Sequence, residues 1–232
     1  MKKVLIATIR RWNVKNALRF RDLYKDKYQT HIVEKPEDLN EDMLYSLNPD
    51  YVFFPHWSWM IPEWLYTKYN CIGFHIGDLP EGRGGSPLQN HIIRKIYRTK
   101  ITAFRISGGI DEGDIFLKHD IWLELGTAEE LFIKISNIIF FSMIPTIIEC
   151  NITPYKQEGK GSIYRRLKPE NSNILDANIS NLEDFYDFIR MLDAEDYPKA
   201  FIKLGKLKIE FTEAVLKVDK VVGRFEVIED DS

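Results

Sequence analysis

CIGFHIGDLPEGRGGSPLQN, residues 71–90, decides both the fold and where to look for a site. An apolar strand, Cys71 to Ile76, runs into a loop dense in glycine and proline and then into a helix, with Ser86 the expected N-cap and Pro87 the first helical residue. A lone histidine, His75, stands where strand becomes loop, a place that can hold an imidazole at the edge of a cleft. Downstream, DEGDI at residues 111–115 ends a Gly-rich turn on Asp114, which is expected to meet His75 across neighbouring strand ends. A carboxylate in that place orients the ring, sets its tautomer and raises its pKa, which suits proton transfer near neutral pH.

The elements before this stretch predict an α/β fold. Val4–Thr8 is a continuous apolar run, as in a strand buried on both faces of a parallel sheet. Helix from about Val14 to Tyr24, strand over His31–Val33, helix over Glu37–Leu47 and strand over Tyr51–Phe54 follow with short turns, the pattern of a doubly wound, mostly parallel sheet. After the first strand stands Ile9-Arg10-Arg11-Trp12-Asn13 instead of the glycine-rich turn that lets backbone amides approach phosphates, which argues against a dinucleotide site. Trp12 and Asn13 lie where open α/β sheets bind ligands, although a solvated arginine pair beside a packed tryptophan explains them equally. Further strands are expected at Ile101–Ile106 and Ile115–Leu123, then a long apolar helix opened by a Thr127/Glu130 capping box, kinked at Pro145 and running to Cys150. That helix is apolar nearly all round, which allows it to cover a subunit contact in a homodimer.

Residues 1–152 read as the catalytic domain, the polar stretch 153–180 as a linker, and 181–232 as a small C-terminal part. That part holds an amphipathic helix over Asn181–Leu192 and an antiparallel meander of Phe201–Leu204, Lys206–Phe211 and Ala214–Val218. A chain of 232 residues with 44% apolar residues buries a proper core, and a net charge of −3 argues against a nucleic-acid partner or an anionic membrane surface. Lys134, Asn137 and Pro145 interrupt the greasiest stretch, so no membrane span is expected. Cys71 and Cys150, in apolar surroundings and without metal-ligand spacing, read as reduced core residues of a soluble cytoplasmic protein.

Several of these segments share their order with a known family. GFHIGDLPEGRGGSPLQ resembles the Asn-x-His-x-Ser-Leu-Leu-Pro-x-x-Arg-Gly-x-x-Pro-x-Gln loop of the folate-dependent formyltransferases, and DEGDI their Asp-x-Gly-Asp-Ile turn. WSWMIP (57–62) stands where that family has Tyr-Gly-Gln-Ile-Leu-Pro. IRMLDAEDYPKAF (189–201) is similar to its Ile-Arg-Ala-x-x-Pro-x-Pro-Gly-Ala-Phe, and KLKI (206–209) follows. The resemblance runs to about Leu216 and implies the formyltransferase version of the Rossmann-like fold, with 10-formyltetrahydrofolate as formyl donor. It further implies His75 as proton-transfer group and electrophile, and Asp114 as its orienting carboxylate. Trp59, Met60 and Ile61, with Ile110, Asp111 and Glu112, would then hold the folate, and Trp12, Asn13 and Arg83 the acceptor. One position departs: the family's asparagine two residues before the histidine is Gly73 here, so backbone amides or a water take over the oxyanion. The branch the chain most resembles is that of the sugar N-formyltransferases. That implies a nucleotide-linked amino sugar of bacterial surface glycans, loosely of the pseudaminic-acid type, as acceptor and no nucleic acid as partner. Another amine, such as aminoacyl-tRNA, a catalytically impaired folate- or sugar-binding protein, and a folate-independent hydrolase stand as alternatives.

Overall fold

The computed structural model describes residues 1–229. In chain order the elements are β1 (Lys2–Ala7), α1 (Arg11–Leu23), β2 (Tyr28–Val33), α2 (Glu41–Leu47), β3 (Tyr51–Phe54), α3 (Glu63–Lys68), β4 (Cys71–Ile76) and β5 (Arg83–Gly84). There follow α4 (Pro87–Ile93), β6 (Arg98–Arg105), β7 (Ile115–Trp122), α5 (Ala128–Ile138), α6 (Ile144–Glu149) and β8 (Ile163–Tyr164). The C-terminal elements are α7 (Leu182–Arg190), β9 (Ala200–Leu204), β10 (Leu207–Leu216) and β11 (Val221–Glu229). The chain divides into two compact units, one of Met1–Arg83, Lys100–Ile121 and Ile133–Ile163, the other of Gly84–Thr99, Trp122–Phe132 and the chain from Tyr164 on. The boundaries expected at 152 and 181 are therefore not where the compact units divide.

The first unit is built on a sheet in the order β2-β1-β3-β4-β6-β7. β1 runs parallel to β2 and β3, and β3 parallel to β4, while β6 turns antiparallel against β4. Val4 to Ala7 are fully buried, as are Val52 and Phe53 of β3, which is why these strands are apolar without alternation. The tryptophan-rich stretch after β3 partly belongs to this core: Trp57, Ile61 and Trp64 pack against a cluster that includes Leu5, Val52, Phe54 and Leu65. The long helix is continuous from Ala128 to Glu149 and is long and apolar enough to cross a membrane, yet most of it is buried inside the protein. A π-helical turn, Ile139–Met143, separates α5 from α6, and Pro145 follows in the first turn of α6. Proline has no N–H for the regular ladder, so the expected kink appears as this local widening.

Three expectations about single residues change. Ser86 precedes α4 in a left-handed conformation and makes no cap bond; its hydroxyl instead accepts from the Leu167 N–H at 3.0 Å. Cys150 is exposed, whereas Cys71 is buried and its thiol is pushed up to about 12 by burial. α1 begins at Arg11, not at Val14, and this early start turns Trp12 and Asn13 inward.

In the second unit α7 is capped by Asn181, whose side chain accepts from the Asp184 N–H at 2.8 Å. Its last residue, Arg190, is fully buried. The guanidinium bonds Asp187 at 2.7 Å and the carbonyls of Gly126 and Leu123 at 3.0 and 2.9 Å. Asp187 in turn accepts from Lys95 at 2.7 Å and Tyr97 at 2.5 Å, so the buried charge is fully paired. The meander differs from expectation. β10 is one long strand through both segments read as its second and third, because the break at Glu213 (φ 53) is a bulge, not a turn. The chain reverses only at Lys217–Lys220, and β11 supplies the third strand in the order β11-β10-β9.

Candidate active site

Alternation along β4 puts positions 73 and 75 on one face. His75 is buried, and its Nε2 donates to the Gly82 carbonyl at 2.8 Å. On the other side of the ring, Nδ1 lies 3.3 Å from a carboxylate oxygen, and the carboxylate belongs to Asp111. Burial holds the His75 pKa below its ordinary value, while Asp111 and the Gly82 carbonyl pull the other way; the expected rise does not prevail because desolvation of the charged ring is the largest influence. Both ring nitrogens face oxygens that accept hydrogen bonds, so the arrangement is satisfied when a proton is shared between Nδ1 and Asp111. With 5% of the His75 side chain exposed against 22% of Asp111, the carboxylate is the member of the pair that solvent reaches.

The expected partner, Asp114, is placed elsewhere by the hairpin of β6 and β7. Its carbonyl accepts from the Arg105 N–H at 2.7 Å, and Arg105 stands opposite Ile72 on β4. That fixes its backbone two strands over from His75 and three residues along, about 14 Å away. Asp111 instead sits at the crest of the turn with φ 52, which folds its carboxylate back onto the ring. Gly113 permits this: a Cβ there would stand 1.6 Å from the Arg105 carbonyl oxygen.

The polar stretch read as a linker contributes directly. The Gln157 amide oxygen accepts from Arg83 Nε and Nη2 at 3.2 and 2.7 Å, and its nitrogen donates to the carbonyls of Asp111 and Gly113 at 2.7 and 2.8 Å. Ser162 accepts from the Gly82 N–H at 2.9 Å, so the loop that presents the Gly82 carbonyl and the turn that presents Asp111 hang on the same segment. Nothing in the composition of 153–163 marks Gln157 out, because its value lies in four hydrogen bonds to three residues distant in sequence. Arg83, expected to meet the acceptor, is tied to Gln157 and lies 3.6 Å from Glu112.

Gly73 has its own explanation. Phe104 is its cross-strand partner, and a Cβ on Gly73 would lie 2.9 Å from both Cε1 and Cζ of that ring. An aromatic ring therefore fills the space where the family's asparagine side chain would begin.

Of the residues expected to hold folate, Trp59, Met60 and Ile110 are exposed apolar side chains, while Ile61 packs on the core. Such side chains offer a flat ring system apolar cover that water does not give them. Trp12 and Asn13 are buried in the first turn of α1 and offer no surface to an acceptor, with Trp12 edge-on to His56 at 5.9 Å between ring centroids. His56 and Arg10 both have positive φ, 56 and 72. Burial, and then the charge of Arg10, push the His56 pKa down to about 4. Neither residue carries a sequence signal for this.

The sequence model of the methionyl-tRNA formyltransferase C-terminal domain matches residues 169–228. Methionyl-tRNA formyltransferase of Rickettsia felis is 33% identical over 140 residues, covering 57% of this chain and 46% of that protein. The chain thus spans about half the length of the curated relatives it matches. A solved structure of methionyl-tRNA formyltransferase from Clostridium thermocellum is 47% identical, covers 99% of this chain and 100% of its own, and superposes with a TM-score of 0.95. A sugar N-formyltransferase from Shewanella sp. FDAARGOS_354, 18% identical with a TM-score of 0.71 over 94% of this chain and 100% of its own, shares the fold. These findings overturn the nucleotide-linked amino sugar as acceptor and the exclusion of a nucleic-acid partner. A net charge of −3 is a property of the whole surface and does not decide the acceptor.

Proposed function

The chain belongs to the folate-dependent formyltransferase family, and on that premise we propose that it moves a formyl group from 10-formyltetrahydrofolate to the α-amine of methionyl-tRNA. The observation that carries the reading to chemistry is the buried His75 held between the Gly82 carbonyl and the Asp111 carboxylate. In this reaction the amine nitrogen bonds to the formyl carbon, the bond from that carbon to the folate nitrogen breaks, and one proton passes from the amine to the folate nitrogen. Asp111, the less buried member of the pair, takes the proton from the amine and hands it to the bare Nδ1 of His75, from which it returns to the folate nitrogen as the bond to the formyl carbon breaks. A ring kept neutral by burial is ready to accept at neutral pH, and once protonated it offers positive charge to the oxyanion.

Bound 10-formyltetrahydrofolate would supply the formyl carbon, and the exposed side chains of Trp59, Met60 and Ile110 would give the faces of its flat pterin ring apolar walls. Gln157 holds the Asp111 turn at the distance the proton path needs. An aminoacyl-tRNA acceptor also agrees with the cytoplasmic setting expected from the sequence. The test is direct: the protein is incubated with 10-formyltetrahydrofolate and methionyl-tRNA, and both tetrahydrofolate release and N-formylmethionyl-tRNA are followed. Transfer to methionyl-tRNA, and none to uncharged tRNA, is expected. Folate turnover without formylated tRNA counts against the acceptor, and no turnover at all counts against the enzyme.

A further inference from the structure

β11 is an outer strand of the β11-β10-β9 sheet, and from Val222 to Glu229 every side chain is exposed. Phe225, at 64% exposure, stands among the exposed Val222, Val227 and Ile228. A nine-residue edge without proline, in unbroken register with β10 from Leu207↔Glu229 to Thr212↔Arg224, is a ready template for another strand.

The order of residues along β11 says which strand fits. Read outward from Phe225, the strand gives Arg224 on one side and Glu226 on the other, then Gly223 and Val227, then Val222 and Ile228. A second copy laid antiparallel across a two-fold axis at Phe225 sets Arg224 against Glu226 twice, Val222 against Ile228 twice, and Phe225 against itself. Residues directly opposite in such a pair share a face, so between Val222 and Ile228 charges meet charges and apolar side chains meet apolar ones, and only the end pair Val221 and Glu229 is mixed. Moving the axis by one residue in either direction sets Arg224 or Glu226 against its own copy, which like charge disfavours. Within one chain Arg224 already lies 2.8 Å from Glu226 and 3.7 Å from Glu213, so its guanidinium is on the face where the partner's carboxylate would arrive.

We propose that β11 pairs with β11 of a second copy about a two-fold axis at Phe225, joining two three-stranded sheets into one of six strands. The contact is isologous and closes on itself, which gives a dimer and no longer assembly. It also moves the subunit contact expected for the long apolar helix, largely buried within its own chain, to β11.

Sedimentation equilibrium of the whole protein from micromolar to near-millimolar concentration reads the mass. The expected result is twice the 27.3 kDa of one chain. Arg224→Glu and Glu226→Arg each face like charge across the axis and should weaken dimerisation on the order of tenfold. The double variant R224E/E226R rebuilds both pairs with signs exchanged and should restore the dimer. A wild-type monomer at every concentration overturns the proposal and leaves the strand to a different partner. So does a single variant that dimerises as before, or a double variant that stays monomeric while unfolding at the wild-type temperature.

Discussion

Gly73→Asn separates two explanations for the missing amide. A Cβ at this position sits 2.9 Å from two carbons of the Phe104 ring, where relaxed carbon contacts are about 3.5–4.0 Å. Forcing a side chain into such a space costs about 1–3 kcal/mol. A correctly aimed oxyanion donor is worth about 2.7–4 kcal/mol, which would win if the amide reached its place. With Phe104 in the way it does not reach, so strain is added and no donor gained. The single variant should lose stability in urea unfolding and should lower turnover of methionyl-tRNA formylation about tenfold. Phe104→Ala alone should cost about 3–5 kcal/mol, because the ring packs with Leu79 and Ile115. Combined, the two substitutions should be less harmful than their sum by about 1–3 kcal/mol, and turnover should recover relative to Gly73→Asn. Strict additivity, or a hundredfold gain from Gly73→Asn alone, would refute the idea that Phe104 occupies the amide's space.

The assignment of Asp111 predicts that Asp111→Asn and His75→Asn each reduce formyl transfer at least a hundredfold, whereas Asp114→Asn stays within about threefold of wild type; equal losses at 111 and 114 would contradict it. Gln157→Ala removes four hydrogen bonds and leaves Arg83 to Glu112, 3.6 Å away. It should cost about 2 kcal/mol of stability and lower kcat more than KM, with an unchanged kcat arguing for scaffolding alone. His56 has its folded pKa lowered from the ordinary 6.5 to about 4. Its contribution is therefore complete above pH 6.5 and is lost as pH falls towards 4, about 3 kcal/mol in all. His56→Asn, which tolerates the left-handed backbone, should flatten that part of the stability curve, and an unaltered slope would assign the acid sensitivity to other groups.

What could be read from the chain were the features written locally. The unbroken apolar run of β1 announces a buried parallel strand, and the glycine- and proline-rich loop after β4 marks where His75 had to stand. Asp111 and Asp114 are indistinguishable at that level, since both are aspartates of one turn. The choice is made by the hydrogen bond between Arg105 and Asp114, which sets the hairpin register. The apolar spacing predicts α1 only from Val14, yet it starts at Arg11 without a side-chain cap from Arg10, and that extra turn buries Trp12 and Asn13. The bulge in β10 passed for a turn because the residue with positive φ is Glu213, not a glycine. Gln157 was invisible for the opposite reason: one amide in a polar stretch has no pattern until its partners are known.

The segment that holds the Asp111 turn also sets when the site can come into being. A chain made from its N-terminus has His75 and Asp111 long before Gln157, which lies 46 residues beyond the aspartate it fastens. At about 5–20 residues per second, that interval lasts about 2–9 s of synthesis. Until it ends, the nascent protein has its strands, its histidine and its carboxylate, and nothing to clasp them. A chain cut short before Gln157 lacks the bonds that position the proposed catalytic carboxylate, and is expected to transfer formyl groups more slowly than the whole protein.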